Sequence, residues 1–443
     1  MKPSSYNHFF EIKDGQTLLA YNSYSGALAE IEKENFSRVR HLLAHPNKAV
    51  DSQDEEYLKC LKDGKFLIPD MVDQKSALKT VARSVRLEGT SLTLTIAPSL
   101  ACNFDCDYCF ESRSNIRMSE ETQAALVRFS DHHLKYARAL RICWFGGEPT
   151  LCMSIIERLQ RQLLEVAERR HIRIIPGMII TNGYLMDRAM AGRLRQMQIT
   201  KAQVTIDGPP EVHDSRRKLR NGRGTFRRIL DNLSETVDIM DINIRINVDR
   251  DNVDSACDAV EILEERGILE KVRLTFAQVK SAGNVCSDIR DRCYDHEEFA
   301  RTLLQIHGRL IERGINRVDY PRPLAGAACG ALAEGYYVVS PSGYLFRCWE
   351  ELSMDAKKST GDLFSLKPTS EQEANLESYR AWNPFHLSAC RECNILPLCM
   401  GGCPISGMQS KKTDSGICTT WKYNLKEMLE LAYLAAVQPV AEK

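Results

Sequence analysis

Three cysteines stand within eight positions in the stretch "LTIAPSLACNFDCDYCFES", where Cys102, Cys106 and Cys109 form C-x3-C-x2-C directly behind an apolar, β-branched run. Three thiolates can hold three irons of a [4Fe-4S] cube and leave the fourth iron without a protein ligand, which makes it a binding site. A zinc knuckle is the structural alternative, but such sites use four ligands in paired spacings, and a lone triplet fits zinc poorly. A second set lies far downstream. Cys329, Gly343 and Cys348 spell C-x13-G-x4-C, Cys390, Cys393, Cys399 and Cys403 spell C-x2-C-x5-C-x3-C, and Cys418 follows. Seven thiols so placed are hard to explain without metal. The other six cysteines, Cys60, Cys143, Cys152, Cys257, Cys286 and Cys293, read mostly as small apolar core residues. His132 and His133 sit in a polar helical stretch and are expected to face solvent.

Elements that must position these groups can be read from the pattern between them. Residues 90–320 alternate strand candidates ("SLTLTIAP", "LRICWFGG", "IRIIPGMIITNG", "AQVTIDG", "INIRINVD", "VRLTFAQVK") with helical stretches such as "MSIIERLQRQLLEVAERR". Such alternation implies βαβ units, and six parallel strands fit a partial (β/α)6, TIM-like barrel of the α/β class. In parallel barrels the chemistry sits at the C-terminal ends of the strands. That end carries the cysteines after the first strand, "GGEP" after the second, "TNG" after the third and "DGP" after the fourth. Residues 1–85 read as a small α+β, winged-helix-like module, with two β-prone runs around an Asp14–Gly15 turn, two helices and the strand-like "KFLIPD". From 325 to 443 the chain is Gly- and Cys-rich with little periodicity, so metal is expected to hold it together, and "WKYNLKEMLELAYLAAV" reads as a final helix.

Bulk properties narrow the function. The 443 residues carry 59 basic and 59 acidic side chains, so a polyanionic partner such as nucleic acid is not expected. No apolar run approaches a membrane span, and "MKPSSYNHFFEIKDGQ" lacks the order of a secretory signal. A cytoplasmic protein with sixteen cysteines points to metal ligation or catalysis rather than disulfides.

"CNFDCDYCFE", "WFGGEPTL", "MIITNGYLMD" and "VTIDGPPEVHDSRR" together resemble the radical S-adenosylmethionine superfamily over roughly residues 90–320. The resemblance implies that Cys102, Cys106 and Cys109 ligate the cluster, whose unique iron chelates S-adenosylmethionine. It implies that Tyr108 and Phe110 flank the adenine and that Gly146, Gly147 and Glu148 receive the methionyl amino group, the glycines leaving room for close approach. Thr205 and Asp207 would contact the ribose or the methionyl part, and Arg216, Arg217 or Arg227 would pair with the carboxylate. The downstream cysteines resemble a SPASM extension with two auxiliary [4Fe-4S] clusters, three in all. Cys390, Cys393, Cys399 and Cys418 would enclose one; Cys329, Cys348 and Cys403 would hold the other. The latter lacks a fourth cysteine, so either Cys286, Cys293 or another donor completes it, or one iron stays open for a substrate thiolate. The spacing favours the open iron.

This resemblance implies a 5'-deoxyadenosyl radical that abstracts hydrogen from a peptide, with an external flavodoxin- or ferredoxin-type electron donor. The N-terminal module, with "LAYNSYSGALAEI", resembles elements that add a leader peptide to a sheet edge. The expected activity is a ribosomal-peptide maturase that joins a cysteine sulfur to carbon as a thioether. A carbon–carbon or aryl crosslink and formylglycine formation by an anaerobic sulfatase maturase are the alternatives, and an iron–sulfur electron carrier is the non-enzyme alternative.

Overall fold

A computed structural model describes residues 1–12, 15–87, 89–111, 114–281, 287–324, 329–365, 367–409 and 418–437. Chain contacts divide it into two units, one of Met1–Leu87, His296–Cys329 and Trp382–Lys443, the other of Glu88–Asp295 and Gly330–Ala381.

In the first unit, β1 (Lys2–Pro3) pairs with the short β5 (Leu67–Ile68), while β2 (Asn7–Ile12), β3 (Thr17–Asn22) and β4 (Leu28–Glu32) form an antiparallel sheet with β3 in the middle. The expected β-prone pair is β2 and β3, with Asp14 of its turn outside the described residues. Two features go beyond the sequence reading: the third strand β4, and a helix over Gln74–Leu87. "KFLIPD" pairs with the extreme N-terminus rather than with the three-stranded sheet. All six side chains of β3 are buried. Tyr21 packs with Ile395, Leu398, Leu425 and Leu429, and the helix Trp421–Val437 lies on the helix His296–Glu312. The Asn394 carbonyl accepts from His8 Nε2 (3.3 Å) and from Ser23 Oγ. The N-terminal sheet is thereby tied to the loop that follows Cys393.

The second unit holds a nine-stranded sheet. β6 (Ser91–Ile96), β7 (Ala139–Trp144), β8 (Arg173–Thr181), β9 (Ile199–Thr205), β10 (Asp241–Val248) and β11 (Val272–Gln278) are parallel and lie side by side in chain order, with helices between them, as a partial (β/α)6 barrel requires. β12 (Tyr336–Val339) adds to β6 in parallel, and β13 (Tyr344–Phe346) and β14 (Gly361–Asp362) follow antiparallel. Runs as short as "YYVV" and "YLF" carry no readable period, so only pairing reveals them as strands. Central strands of a parallel sheet usually read as continuous apolar runs. β10 does not: Ile242, Ile244, Ile246 and Val248 are fully buried, whereas Asn243, Arg245 and Asn247 alternate onto the other face. The face not sealed by apolar residues is therefore polar.

Candidate functional site

The loop after β6 is laced down from several sides. Ala97 N donates to Val339 O (2.9 Å) and Ser99 Oγ to Ile116 O (2.7 Å). Asp105 N donates to Lys218 O (2.8 Å), and Asn182 Nδ2 donates to Asn103 Oδ1 (2.8 Å). Cys102, Cys106 and Cys109 are each half-buried on this loop. Burial, then the Glu148 carboxylate, then the Cys106 and Cys109 thiols push Cys102 up to about 12. A cationic centre beside these thiols would offset that shift and favour the thiolate of Cys102. Among the described residues, no group of three or more His, Cys, Asp or Glu converges as ligands of one metal ion. The ligands of a cube attach to separate irons and need not converge.

"GGEP" forms the strap under this loop. At Gly147 a Cβ would lie 2.3 Å from Ala101 O and 2.7 Å from Leu100 O; at Gly146, where φ is +105°, it would lie 2.5 Å from Ser99 O. The room that the two glycines leave is taken by the backbone of the cysteine loop itself. Glu148 caps the short helix Pro149–Cys152, with proline at its first position. Its Oε1 accepts from Thr150 N (3.0 Å), Thr150 Oγ1 (2.5 Å) and Thr181 Oγ1 (2.7 Å), its Oε2 from Asn182 N (2.7 Å), and burial raises its pKa. The carboxylate thus joins the ends of β7 and β8, while Glu148 N holds Ala101 O at 2.8 Å. Glu111, two residues beyond Cys109, was not singled out in the sequence. It is buried, its Oε2 has no partner, and burial followed by Glu148 raises its pKa to about 7.

The ends of β9 and β10 form a second hub. Asp207 is fully buried; its Oδ1 accepts from Asn247 N (3.0 Å), and its Oδ2 from the Tyr108 hydroxyl. Asn252 Nδ2 donates to its carbonyl (2.7 Å), and Asp207 N donates to His213 Nδ1 (3.3 Å). His213 Nε2 therefore carries the proton toward Thr225 Oγ1 (3.1 Å), and burial, with Arg217 and Arg216 nearby, holds its pKa well below the usual value. Tyr108, expected beside an adenine, turns its hydroxyl into this hub, and Phe110 packs near Ala97, Phe145 and Val279. Thr205 ends β9 opposite Arg245.

The three candidate arginines separate. Arg216 is locked on Asp249 by two bonds of 3.0 and 2.9 Å, and Arg227 is exposed on the helix Phe226–Thr236. Arg217 is buried, donates to the Tyr108 hydroxyl (2.5 Å), and keeps its Nε without a hydrogen-bond partner. Among the described residues no carboxylate lies within ion-pair reach of Arg217. Sequence reasoning missed Asn247, Asp249, Asn252 and Asp214, which caps the helix Phe226–Thr236 through Thr225 N and Phe226 N.

Far along the chain, in the first unit, Cys390, Cys393, Cys399 and Cys418 line one cavity with Thr419 and Lys422. Burial, then Cys399, Cys393 and Cys418, push Cys390 up to about 12. Cys403 and the exposed Cys329 belong to the same unit, Cys348 to the other. No disulfide joins any described cysteine. Cys293 bonds Ile289 O (3.3 Å) beside Tyr108 and Phe110, and Cys286 lies outside the described residues. Cys143, Cys152 and Cys257 are buried, whereas Cys60 is exposed. His132 faces solvent, but His133 is half-buried between Phe129 and Tyr337, with Nδ1 on Phe129 O at 2.9 Å. No helix among the described residues is long and apolar enough to cross a membrane.

Comparison with known proteins agrees with this architecture. Residues 96–261 match the family profile "Radical SAM superfamily". A cysteine-type anaerobic sulfatase-maturating enzyme of Clostridium perfringens (strain 13) is 24% identical over 77% of this chain and 96% of its own. Fe-coproporphyrin III synthase of Methanosarcina barkeri is 26% identical over 41% of this chain and 42% of its own. With that synthase and with a Synechocystis protein, the chain spans less than half the relative's length. Among solved structures, native anSMEcpe with bound AdoMet has a TM-score of 0.59 at 19% identity, covering 77% of this chain and 99% of that one. Streptococcus suis SuiB bound to precursor peptide SuiA has a TM-score of 0.50 at 14% identity, covering 95% and 99%. The cysteine loop, its glutamate strap and the strand ends around them lie in a partial (β/α)6 barrel, and residues 96–261 of this chain are a radical SAM domain.

Proposed function

We propose that this chain is a radical SAM peptide maturase that joins a cysteine sulfur of a precursor peptide to carbon as a thioether. The observation that carries the reading beyond the radical SAM domain is the second thiol set: four cysteines lining one cavity, tied through Asn394 to a three-stranded N-terminal sheet. A barrel alone needs neither. In this reading Cys102, Cys106 and Cys109 hold the substrate-activating cluster, and Cys390, Cys393, Cys399 and Cys418 hold an auxiliary one. Bound together, the first cluster and S-adenosylmethionine supply a carbon radical that takes hydrogen from unactivated C–H bonds.

The chain's own residues bind and orient. The strap Gly146–Glu148 seats the cysteine loop and would receive the methionyl amino group, Thr205 and Asp207 would contact the ribose or the methionyl part, and Tyr108 and Phe110 would border the adenine. Of the three arginines, Arg217 would take the methionyl carboxylate, since its guanidinium is buried, its Nε has no partner, and among the described residues it reaches a carboxylate, Asp207, only through the Tyr108 hydroxyl. Arg245 and the asparagines of β10 give the barrel's unsealed face the polarity that a peptide backbone needs. The N-terminal sheet accepts the leader along an edge, as β-augmentation allows; the SuiB structure, whose fold spans 95% of this chain, is one with a precursor peptide bound.

A second reading has its own support. The sulfatase-maturating relative matches 77% of this chain, so oxidation of a sulfatase cysteine to formylglycine is the competing reaction. Mass spectrometry of a precursor encoded beside the gene, after anaerobic incubation with reductant and S-adenosylmethionine, separates the two. A loss of two hydrogens with one thiol that no longer alkylates is the expected result. A peptide aldehyde in place of the thiol assigns the chain to sulfatase maturation, and two lost hydrogens with every thiol alkylatable move the bond off sulfur. Absence of 5'-deoxyadenosine under strong reductant would sink the enzymatic reading altogether and leave an electron carrier.

A further inference from the structure

The four-cysteine cavity is lined with hydrogen-bond donors, and no carboxylate lines it among the described residues. Directly after Cys399 the chain takes three consecutive left-handed residues, Met400, Gly401 and Gly402, with φ of 46°, 88° and 72°. The step from the right-handed helix Leu396–Cys399 into left-handed Met400 is the αR–αL change that turns successive amides toward one side as an anion-binding nest. Here the Gly402 amide donates to the Cys399 carbonyl (2.9 Å), and the amides of Gly401 and Gly402 oppose the burial that raises the Cys399 thiol to about 11. Gly401 is required sterically as well, since a Cβ there would meet Pro384 Cβ at 2.6 Å. Two side chains complete the set. Lys422 places Nζ 3.9 Å from Cys393 Sγ, and Thr419, next to Cys418, lines the cavity with a buried Oγ1 that has no partner.

The geometry points to Lys422 and Thr419 as positioning residues that raise the reduction potential of the cluster held by Cys390, Cys393, Cys399 and Cys418, an inference that rests on the proposed assignment of that cluster. Reduction adds one electron to a group that four thiolates already make anionic. A cation and an O–H donor beside the sulfurs stabilise the more negative form, and hydrogen bonds to sulfur are among the protein's main levers on such potentials. Lys422 is solvent-exposed, so its effect is partly screened and must shrink as salt rises. Thr419 is covered, so its effect must not. A cluster tuned upward is suited to accepting an electron rather than delivering one at low potential.

The test uses the full-length protein, reconstituted anaerobically, with Cys102, Cys106 and Cys109 replaced by alanine to silence the first cluster. Potentiometric titration followed by electron paramagnetic resonance gives the midpoints, and the signal lost in an added Cys390→Ala change identifies the cluster. Lys422→Met is expected to lower the equilibrium constant for electron uptake about tenfold, or about 59 mV for a one-electron couple, with iron and sulfide content unchanged. Lys422→Arg restores it to within about twofold, as expected of a charge-assisted donor. Thr419→Val lowers it about threefold, the order of one neutral hydrogen bond, at any salt concentration. Unchanged midpoints in Lys422→Met and Thr419→Val, at full iron content, overturn the inference while leaving the cluster assignment intact. If Cys390→Ala removes neither iron nor signal, the cluster assignment and the inference fall together. Should Lys422→Met fail to assemble a cluster, an unmoved midpoint in Thr419→Val alone is enough to overturn it.

Discussion

Adding one methyl group at Gly147 should disable the radical site without touching any ligand. The Cβ of Gly147→Ala would lie 2.3 Å from Ala101 O and 2.6 Å from Ala101 C, whereas ordinary contact begins near 3.4 Å. Its neighbours are backbone, not the flexible end of a side chain, so the cysteine loop must retreat by about 1 Å for the residue to fit. The retreat pulls against Glu148 N–Ala101 O at 2.8 Å, and Cys102 is the next residue. Overpacking of this kind costs about 1–3 kcal/mol. Misplacement by about 1 Å at a reacting centre costs on the order of 100-fold in rate. The assay is the initial rate of 5'-deoxyadenosine release under excess reductant, with iron content and melting temperature measured on the same preparation. Gly192→Ala is the control. Gly192 lies inside the helix Arg188–Gln196 with nothing within 4 Å of its Cβ position, so alanine there should stabilise by up to about 1 kcal/mol and leave the rate unchanged. A Gly147→Ala protein with full iron and a rate within twofold of the parent would refute the steric account of the strap.

Glu148→Gln replaces one acceptor oxygen by a donor opposite amide or hydroxyl donors; it should destabilise the barrel unit by about 1–3 kcal/mol in a denaturant titration. His213 is neutral in the fold, whereas the unfolded chain takes up a proton below about 6.5. Its contribution is therefore complete above about pH 6.5 and erodes as pH falls from there, so His213→Gln should flatten the stability profile below about pH 6.5. Stripping iron with a chelator should speed hydrogen exchange at β3 amides, because the Asn394 carbonyl that His8 and Ser23 hold lies beside Cys393. Equal exchange before and after chelation would show that the sheet folds independently of the metal loop.

The barrel was legible in advance because each of its six strands pairs a readable β-prone run with a helix of clear 3.6-residue period, as in the helix Met153–Arg169 between β7 and β8. β12, β13 and β14 were not legible because two to four residues carry no period, and parallel pairing with β6 is a non-local event. The same distinction separates the site residues. Cysteine spacing points to metal ligation from the sequence alone, because few other residue patterns serve that chemistry. Asn247, Asp249 and Asn252 sit in a stretch, "NVDRDN", that reads equally as a turn, and only the packing of β9 against β10 shows them gathered about Asp207 and Arg216.

The motifs beside the cysteines also have work to do within the chain. "GGE" reads as a ligand contact, yet each glycine yields space to the cysteine loop, and the glutamate spends both oxygens on the chain. "DGP" reads as a ribose or methionyl contact, yet each oxygen of Asp207 already accepts a bond within the chain, from Tyr108 and from Asn247 N. These residues first hold the ends of β6 to β10 and the cysteine loop in one geometry, and a loop bearing three thiols that repel as anions needs such a frame before metal arrives. A site built this way loses activity through the frame as readily as through a ligand. Comparing Gly147→Ala with loss of a cysteine measures that directly, because on the proposed assignment only the cysteine change removes a bond to iron.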